Sequence, residues 1–160
     1  MPRILALAHA FPPHYCSQDE LSSALRIAWQ DQGLDVAIFD RLQRNVQVQG
    51  RDLARPLEEY HHFNSFTQTN QLWPEEALHL GEQVVQQVLD QAKLAADQVQ
   101  LLMSTTVTGI AVPSLEARLM NRLPFAPTTR RVPLFGLGCL AGTAGIARCA
   151  DYLRAYPAHA

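Results

Sequence analysis

Residues 130–154 read RRVPLFGLGCLAGTAGIARCADYLR, and the fold is decided there. The apolar run Val132 to Leu137 has the length of a strand, and Leu140 to Ala150 has helical length and composition. The step Gly138-Cys139 lies between them, which puts Cys139 at or near a helix N-terminus. Unpaired N–H groups and the positive dipole end favour thiolate over thiol at such a place. The helix carries Ala141, Gly142, Thr143, Ala144, Gly145, Ala147 and Ala150. A glycine inside a helix costs about 1 kcal/mol relative to alanine. So small a face therefore predicts close approach by another backbone, with the helix buried on most sides. A free cysteine in apolar surroundings is ordinarily a small buried hydrophobe. Cys149, inside the helix, keeps that reading, and Cys16 sits in a Pro-rich loop with no evident partner. Only Cys139 combines a glycine neighbour with a helix start.

The 160 residues around this stretch are the size of one domain, expected over 1–160, and long enough to bury a core. Hydrophobic content is 48%, charged content 18% and formal net charge −2, which argues against a general nucleic-acid binder. Three cysteines without framework spacing suggest a reducing, cytoplasmic setting. The first apolar run is broken by His9 and Pro12 and is too short to span a membrane, so neither a signal peptide nor a membrane partner is expected.

Taken in order, Ile4 to Ala10 predicts a buried first strand, ended by Phe11-Pro12-Pro13. Ser17 to Glu20 has the S-x-x-E form of a capping box. Leu21, Ala24, Leu25, Ala28 and Trp29 then share a helical face, and Gly33 closes the helix. Val36 to Gly50 is less regular. Arg41, Arg44, Arg51 and Arg55 make a loose basic segment, read either as solvated surface or as a contact for the phosphates of a nucleotide-bearing substrate. Adjacent His61 and His62 point different ways and make a poor metal pair, and no metal site is expected. Their segment reads as a loop or short helix packed by its aromatics. Pro74 is expected to start the next helix, whose stripe is Ala77, Leu78, Gly81, Val84, Val85, Val88, Leu89 and Ala92. Val99 to Thr106 reads as a strand, and Ser114 as the cap of a short helix carrying Leu115, Leu119 and Leu123. From residue 74 on, helix and strand alternate. This implies an α/β fold with a mixed, mostly parallel sheet covered by helices, and ligands gathered where Thr106 and Cys139 leave the strands.

Phe135-Gly136-Leu137-Gly138-Cys139-Leu140-Ala141-Gly142 resembles the nucleophile motif of type III polyketide synthases, the chalcone-synthase-like branch of the thiolase fold. Ser104 to Gly109 and Pro113 to Leu119 resemble the stretch before that motif in bacterial members, and Arg55 to Tyr60 with Ser65-Phe66 resembles the family's early segment. The resemblance implies an acyltransferase with a thiolase-like fold. Such an enzyme loads an acyl group from a coenzyme A thioester onto a cysteine and extends it by decarboxylative condensation with malonyl-CoA. It implies that Cys139 is the nucleophile and that Val107, Thr108 and Val112 line the cavity setting starter and chain length. It also implies that the Val112-Pro113 loop approaches the partner's site in a homodimer, and that Arg44, Arg51 and Arg55 lie near the coenzyme A phosphates. No cofactor beyond the thioester substrates is implied.

Family members are about twice this length, with two similar halves. Their catalytic histidine and asparagine, which activate the thiolate and stabilise the oxyanion and enolate, belong to the second half. None of His9, His14, His61, His62, His79 or His159 stands in a matching position. Thr143 stands where many members have a second glycine. The expectation is therefore an N-terminal half, without the C-terminal half, that carries the nucleophile. It should expose an apolar interface, and so dimerise, pair with a second chain, or be a piece of a longer protein. Two alternatives remain: a ketoacyl-ACP synthase III-like condensing enzyme, and a non-catalytic truncated or split chain acting as a partner or acyl-CoA binder.

Overall fold

The computed structural model describes residues 1–29, 33 and 35–159. They divide into two compact units, one of them Phe11–Phe66 and the other Met1–Ala10 together with the chain from Thr67 onward.

In the unit Phe11–Phe66, strand β1 (His14–Ser17) pairs antiparallel with β2 (Gly50–Leu53), His14 lying opposite Leu53 and Ser17 opposite Gly50. Helix α1 (Gln18–Trp29) follows β1 directly because the capping box forms. Ser17 donates to Glu20 Oε2 from its amide at 2.9 Å and from its hydroxyl at 2.6 Å, and Glu20 N–H donates to Ser17 Oγ at 3.2 Å. These bonds hold the Glu20 carboxyl below its ordinary pKa. The predicted face of α1 lines an apolar cleft with Leu53, Leu57 and Phe63. Gly33 is in the left-handed region at φ 71°, but residues 30–32, through which α1 would reach it, lie outside the described residues.

The irregular reading of residues 36–50 is corrected, since a second helix, α2, spans Val36–Val46. Asp35 caps it, accepting from Ile38 N–H at 3.0 Å. Phe39 is buried edge-on to Trp29 at 6.3 Å, and Arg26 Nε donates to Asp40 at 2.9 Å. Tyr60 and Phe63 pack edge to face at 5.7 Å around a short 3-10 turn over Leu57–His62, the aromatic packing expected there.

In the other unit the elements are α3 (Phe66–Ala92, all but its first residue), β3 (Leu101–Thr106), α4 (Leu115–Leu119), β4 (Arg130–Phe135) and α5 (Ala141–Ala155). The alternation gives the expected parallel pairing, β3 beside β4, from Leu101 opposite Arg130 to Thr106 opposite Phe135. Thr129 is buried and sets this register, its hydroxyl donating to Val99 O at 2.8 Å, while Arg130 N–H donates to Gln100 O at 2.9 Å. Ala96, Leu123 and Phe125 form the core, with Val85 and Leu89 of the α3 stripe packed against them.

Three expectations are corrected in this unit. Ile4 to Ala10 forms no strand, and Leu7 is 76% exposed. An apolar run becomes a strand only where a ladder accepts its backbone groups, and among the described residues none pairs with it. Ala6, Ala8 and Ala10 still alternate inward, the period of an extended chain. Pro74 does not start α3, which begins at Phe66 and contains it. Proline removes one donor inside a helix, and the turn before it is held by tertiary contacts described below. Finally, α5 is not buried on most sides, since only Ala141 and Gly145 are buried. A Cβ on Gly145 would make ordinary contact with Thr105 at 3.5 Å, and one on Gly142 would meet nothing within 4 Å. Among the described residues no helix is long and apolar enough to cross a membrane.

Candidate active site

Because β3 and β4 are parallel and in register, both deliver their chains to the same end of the sheet, after Thr106 and Phe135. Each is followed by a glycine-bearing segment, and these two segments hold Cys139 and the residues expected to line its cavity.

The turn after β4 depends on two glycines in the left-handed region, Gly136 at φ 86° and Gly138 at φ 55°. They swing the chain into a single 3-10 turn, Gly138–Leu140, which runs straight into α5. Leu140 is the N-cap of α5, so Cys139 stands one residue ahead of it, and its side chain is exposed. The other thiols differ. Cys16 is buried on β1, where burial first and the Glu20 carboxylate second push its pKa up. Cys149 is half-buried, and burial pushes it up as well. Of the three thiols, Cys139 alone is both open to a reagent and placed at a helix start.

The segment after β3 is pinned through its backbone and leaves its side chains free. Thr106 Oγ1 donates to Gly109 O at 3.1 Å. Asn70 of α3 donates to Ile110 O at 2.9 Å and accepts from Ile110 N–H at 2.7 Å. The Trp73 ring lies against Gly109, which is buried, and a Cβ there would fall inside the indole. Val107, Thr108 and Val112 stay exposed, Val112 at 90%. Beyond the cis Val112-Pro113 bond, Arg118 Nε donates to Pro113 O at 3.0 Å. Ser114 is the N-cap of α4 without a side-chain cap bond. Instead Glu116, 1% exposed, ties α4 to β3 by accepting from Ser104 N–H at 2.8 Å, and its Oε2 has no hydrogen-bond partner.

Sequence reasoning missed Asn70, Trp73 and Glu116. Glu116 gave no signal on the exposed-looking face of a short helix. Asn70 and Trp73 fell outside the helix predicted to begin at Pro74.

The structure brings Cys139, Val107, Thr108 and Val112 into one unit and places Arg44, Arg51 and Arg55 in the other. Arg44 lines a polar cleft of about 920 Å³ with Ser22, Arg26 and Asp40. Arg51 is exposed on β2 opposite Cys16, and Arg55 is half-buried just past β2. Among the described residues no group of three or more His, Cys, Asp or Glu side chains could hold a metal ion.

The family "Chalcone and stilbene synthases, N-terminal domain" matches residues 2–155. The chain is 39% identical over 154 residues to a 1,3,6,8-tetrahydroxynaphthalene synthase of Streptomyces peucetius subsp. caesius, covering 96% of this chain and 41% of the relative. It is 35% identical to a putative chalcone synthase of Bacillus subtilis, covering 98% of this chain and 44% of the relative. The crystal structure of 1,3,6,8-tetrahydroxynaphthalene synthase from Streptomyces coelicolor A3(2), a bacterial type III polyketide synthase, superposes with a TM-score of 0.83 at 32% identity. That superposition covers 92% of this chain and 42% of that one. The chain thus spans less than half the length of these relatives. The family model spans nearly the whole chain and the crystal structure superposes on most of it: the chain belongs to the chalcone and stilbene synthase family of type III polyketide synthases and has the N-terminal part of their thiolase-like fold.

Proposed function

We propose that this chain supplies the nucleophile of a type III polyketide synthase acting on coenzyme A thioesters. The observation that carries the reading is the placement of Cys139, exposed on the Gly136–Gly138 turn one residue ahead of the α5 N-cap, while burial holds Cys16 and Cys149 as thiols. In the proposed reaction the Cys139 thiolate attacks the carbonyl of an acyl-CoA. The thioester bond to coenzyme A breaks and the coenzyme leaves as its thiol. Malonyl-CoA loses carbon dioxide, its electron pair remains as an enolate, and that carbon attacks the acyl-cysteine. A carbon–carbon bond forms and the thiolate is regenerated. Stabilisation of the oxyanion and the enolate falls to a histidine and an asparagine, which relatives of full length carry in their second half.

Around the cysteine, Val107, Thr108 and Val112 form part of the wall that limits starter and chain length. Asn70 and Thr106 hold the backbone of Gly109 and Ile110 between them, which supports a fixed wall whose space depends on side-chain size. Arg44, Arg51 and Arg55 are the candidates for the coenzyme A phosphates, since guanidinium groups bind phosphate in bidentate fashion. No further cofactor, nucleic acid or membrane takes part, and the setting is the cytoplasm. Leu137, Leu140 and Ile146, with 46%, 71% and 60% exposure, leave the cysteine's surroundings apolar and open. This supports a second half or second copy covering them.

The test is turnover of the protein, in the assembly in which it is isolated, with an acyl-CoA and malonyl-CoA. Release of coenzyme A and carbon dioxide should require Cys139 and should survive Cys149→Ala. Undiminished turnover by Cys139→Ala would overturn the reading. A strong preference for carrier-protein over coenzyme A thioesters would move the chain to the ketoacyl-ACP synthase III-like branch.

A further inference from the structure

Residues 107–113 join β3 to α4 and carry Val107, Thr108 and Val112. The half of this segment next to β3 is held by Thr106 at Gly109 and by Asn70 at Ile110. Those bonds stop at Ile110. Val112 lies beyond them, exposed, and the chain then enters α4. With five residues, α4 is too short to be stable by itself, and the Ser114 hydroxyl makes no cap bond at its start. Two of its side chains make the polar contacts that place it. Glu116 accepts from Ser104 N–H of β3 at 2.8 Å, and Arg118 Nε donates to Pro113 O at 3.0 Å.

Apolar packing alone does not give α4 a unique seat. Leu119 is buried, and a Cβ on Gly81 of α3 would meet its methyl group at 3.5 Å. Such contact holds α4 down but is non-directional, so it permits sliding and turning. A hydrogen bond has a direction and a narrow range of length. Glu116 is 1% exposed, in a place that an apolar side chain of similar size would fill equally well. A carboxyl there selects one arrangement among several that pack alike. Glu116 and Arg118 are two residues apart and do not face each other around the helix. One therefore reaches β3 while the other reaches back to Pro113.

We propose that Glu116 and Arg118 are positioning residues, which bracket residues 107–113 between β3 and α4 and so set the starter lengths that the candidate site accepts. They act through the backbone that carries Val112, not on the reacting atoms. This role rests on the proposed function, in which Val107, Thr108 and Val112 limit the starter. With the bracket closed, Val112 keeps one position and side-chain size sets the limit. With either contact removed, the wall yields and longer starters enter.

The test compares Glu116→Gln, Glu116→Met and Arg118→Met with the parent protein, each in the assembly in which it is isolated. The readout is kcat/KM for octanoyl-CoA relative to butyryl-CoA, with malonyl-CoA saturating. Both methionine variants should raise that ratio roughly tenfold or more, through a lower KM for the longer starter. Their kcat with butyryl-CoA should stay within about twofold, since Cys139 is untouched. Glu116→Gln keeps an oxygen that accepts from Ser104 N–H, so its ratio should match the parent's. A ratio unchanged in Arg118→Met, or moved by Glu116→Gln as far as by Glu116→Met, would overturn the bracket. Arg118 is only half-buried, so its variant carries the test should Glu116→Met fail to fold. Hydrogen exchange gives a readout free of the chemistry. Peptides covering residues 107–113 should exchange roughly threefold faster in Arg118→Met, while those covering residues 84–89 of α3 stay unchanged. Equal exchange in parent and variant would also overturn the bracket. The two readings fail separately. Turnover undiminished in Cys139→Ala refutes the proposed chemistry, whereas turnover lost in Cys139→Ala with an unchanged length ratio in the α4 variants refutes only the bracket.

Discussion

Replacing Gly109 by alanine tests the packing that fixes the segment behind the candidate site. Gly109 is not in the left-handed region, so its backbone tolerates a side chain and the penalty is steric. The new methyl group would overlap Cγ and Cδ2 of Trp73. Either the indole moves, as in an overpacked core, at about 1–3 kcal/mol, or the segment moves. In the second case the Asn70 pair with Ile110 breaks, two hydrogen bonds at about 0.5–1.5 kcal/mol each. Both routes give a loss near 2 kcal/mol. For a small domain with a urea slope of about 1–3 kcal/mol per molar, the midpoint should fall by roughly 1 M. The assay is urea unfolding of Gly109→Ala, Trp73→Leu and the double variant. In the Trp73→Leu background the alanine should cost less than about 0.5 kcal/mol, because the overlap is gone. An equal cost in both backgrounds, or none in the parent, would refute the contact.

Further outcomes follow from other parts of the structure. Ser17 bonds to the ionised Glu20 and lowers its pKa, so this contribution is present above about pH 4.5 and is lost as pH falls through the depressed value. Glu20→Gln should flatten the acid limb of stability, measured by circular dichroism of thermal unfolding. Cys16 and Cys149 have raised pKa values, so the native state keeps protons that the unfolded chain loses above about pH 9, and stability should decline there. Cys16→Ala should lessen that decline, read from unfolding midpoints between about pH 8 and about pH 10. Under limiting iodoacetamide, Cys139 should be alkylated first and Cys16 last, since only Cys139 is exposed and Cys16 is the most buried of the three.

Where the order of helix and strand carried the signal, the fold was legible from the residues. The parallel β3–β4 pair, the α3 stripe, the capping box at Ser17 and Glu20 and the helix start at Cys139 all follow from periodicity or cap chemistry. Local reading failed where distant residues decide. Ile4 to Ala10 has strand composition but no ladder among the described residues. Phe66 to Trp73 is helical although Pro74 follows, because Asn70 and Trp73 are committed to the segment near Gly109, some forty residues away. Val36 to Val46 lacks a broad apolar stripe, and the Asp35 cap and the single buried anchor Phe39 make it helical. The small residues of α5 predicted burial, but Gly142, Thr143, Ile146 and Ala147 face outward in this chain. At the candidate site, Cys139 stands out by its glycine neighbour and helix start, and the structure leaves it exposed, whereas the buried Glu116 that ties α4 to β3 left no trace in spacing or composition.

The most direct test of the account is to locate the acyl group after the protein meets an acyl-CoA. Cleavage after Arg131 and Arg148 yields a peptide from Val132 to Arg148 that contains Cys139 and separates it from Cys149 and Cys16. The account predicts the acyl mass on that peptide, at Cys139, and its absence from Cys139→Ala. An acyl group on Cys149 or Cys16 instead, or unchanged labelling in the variant, would contradict it.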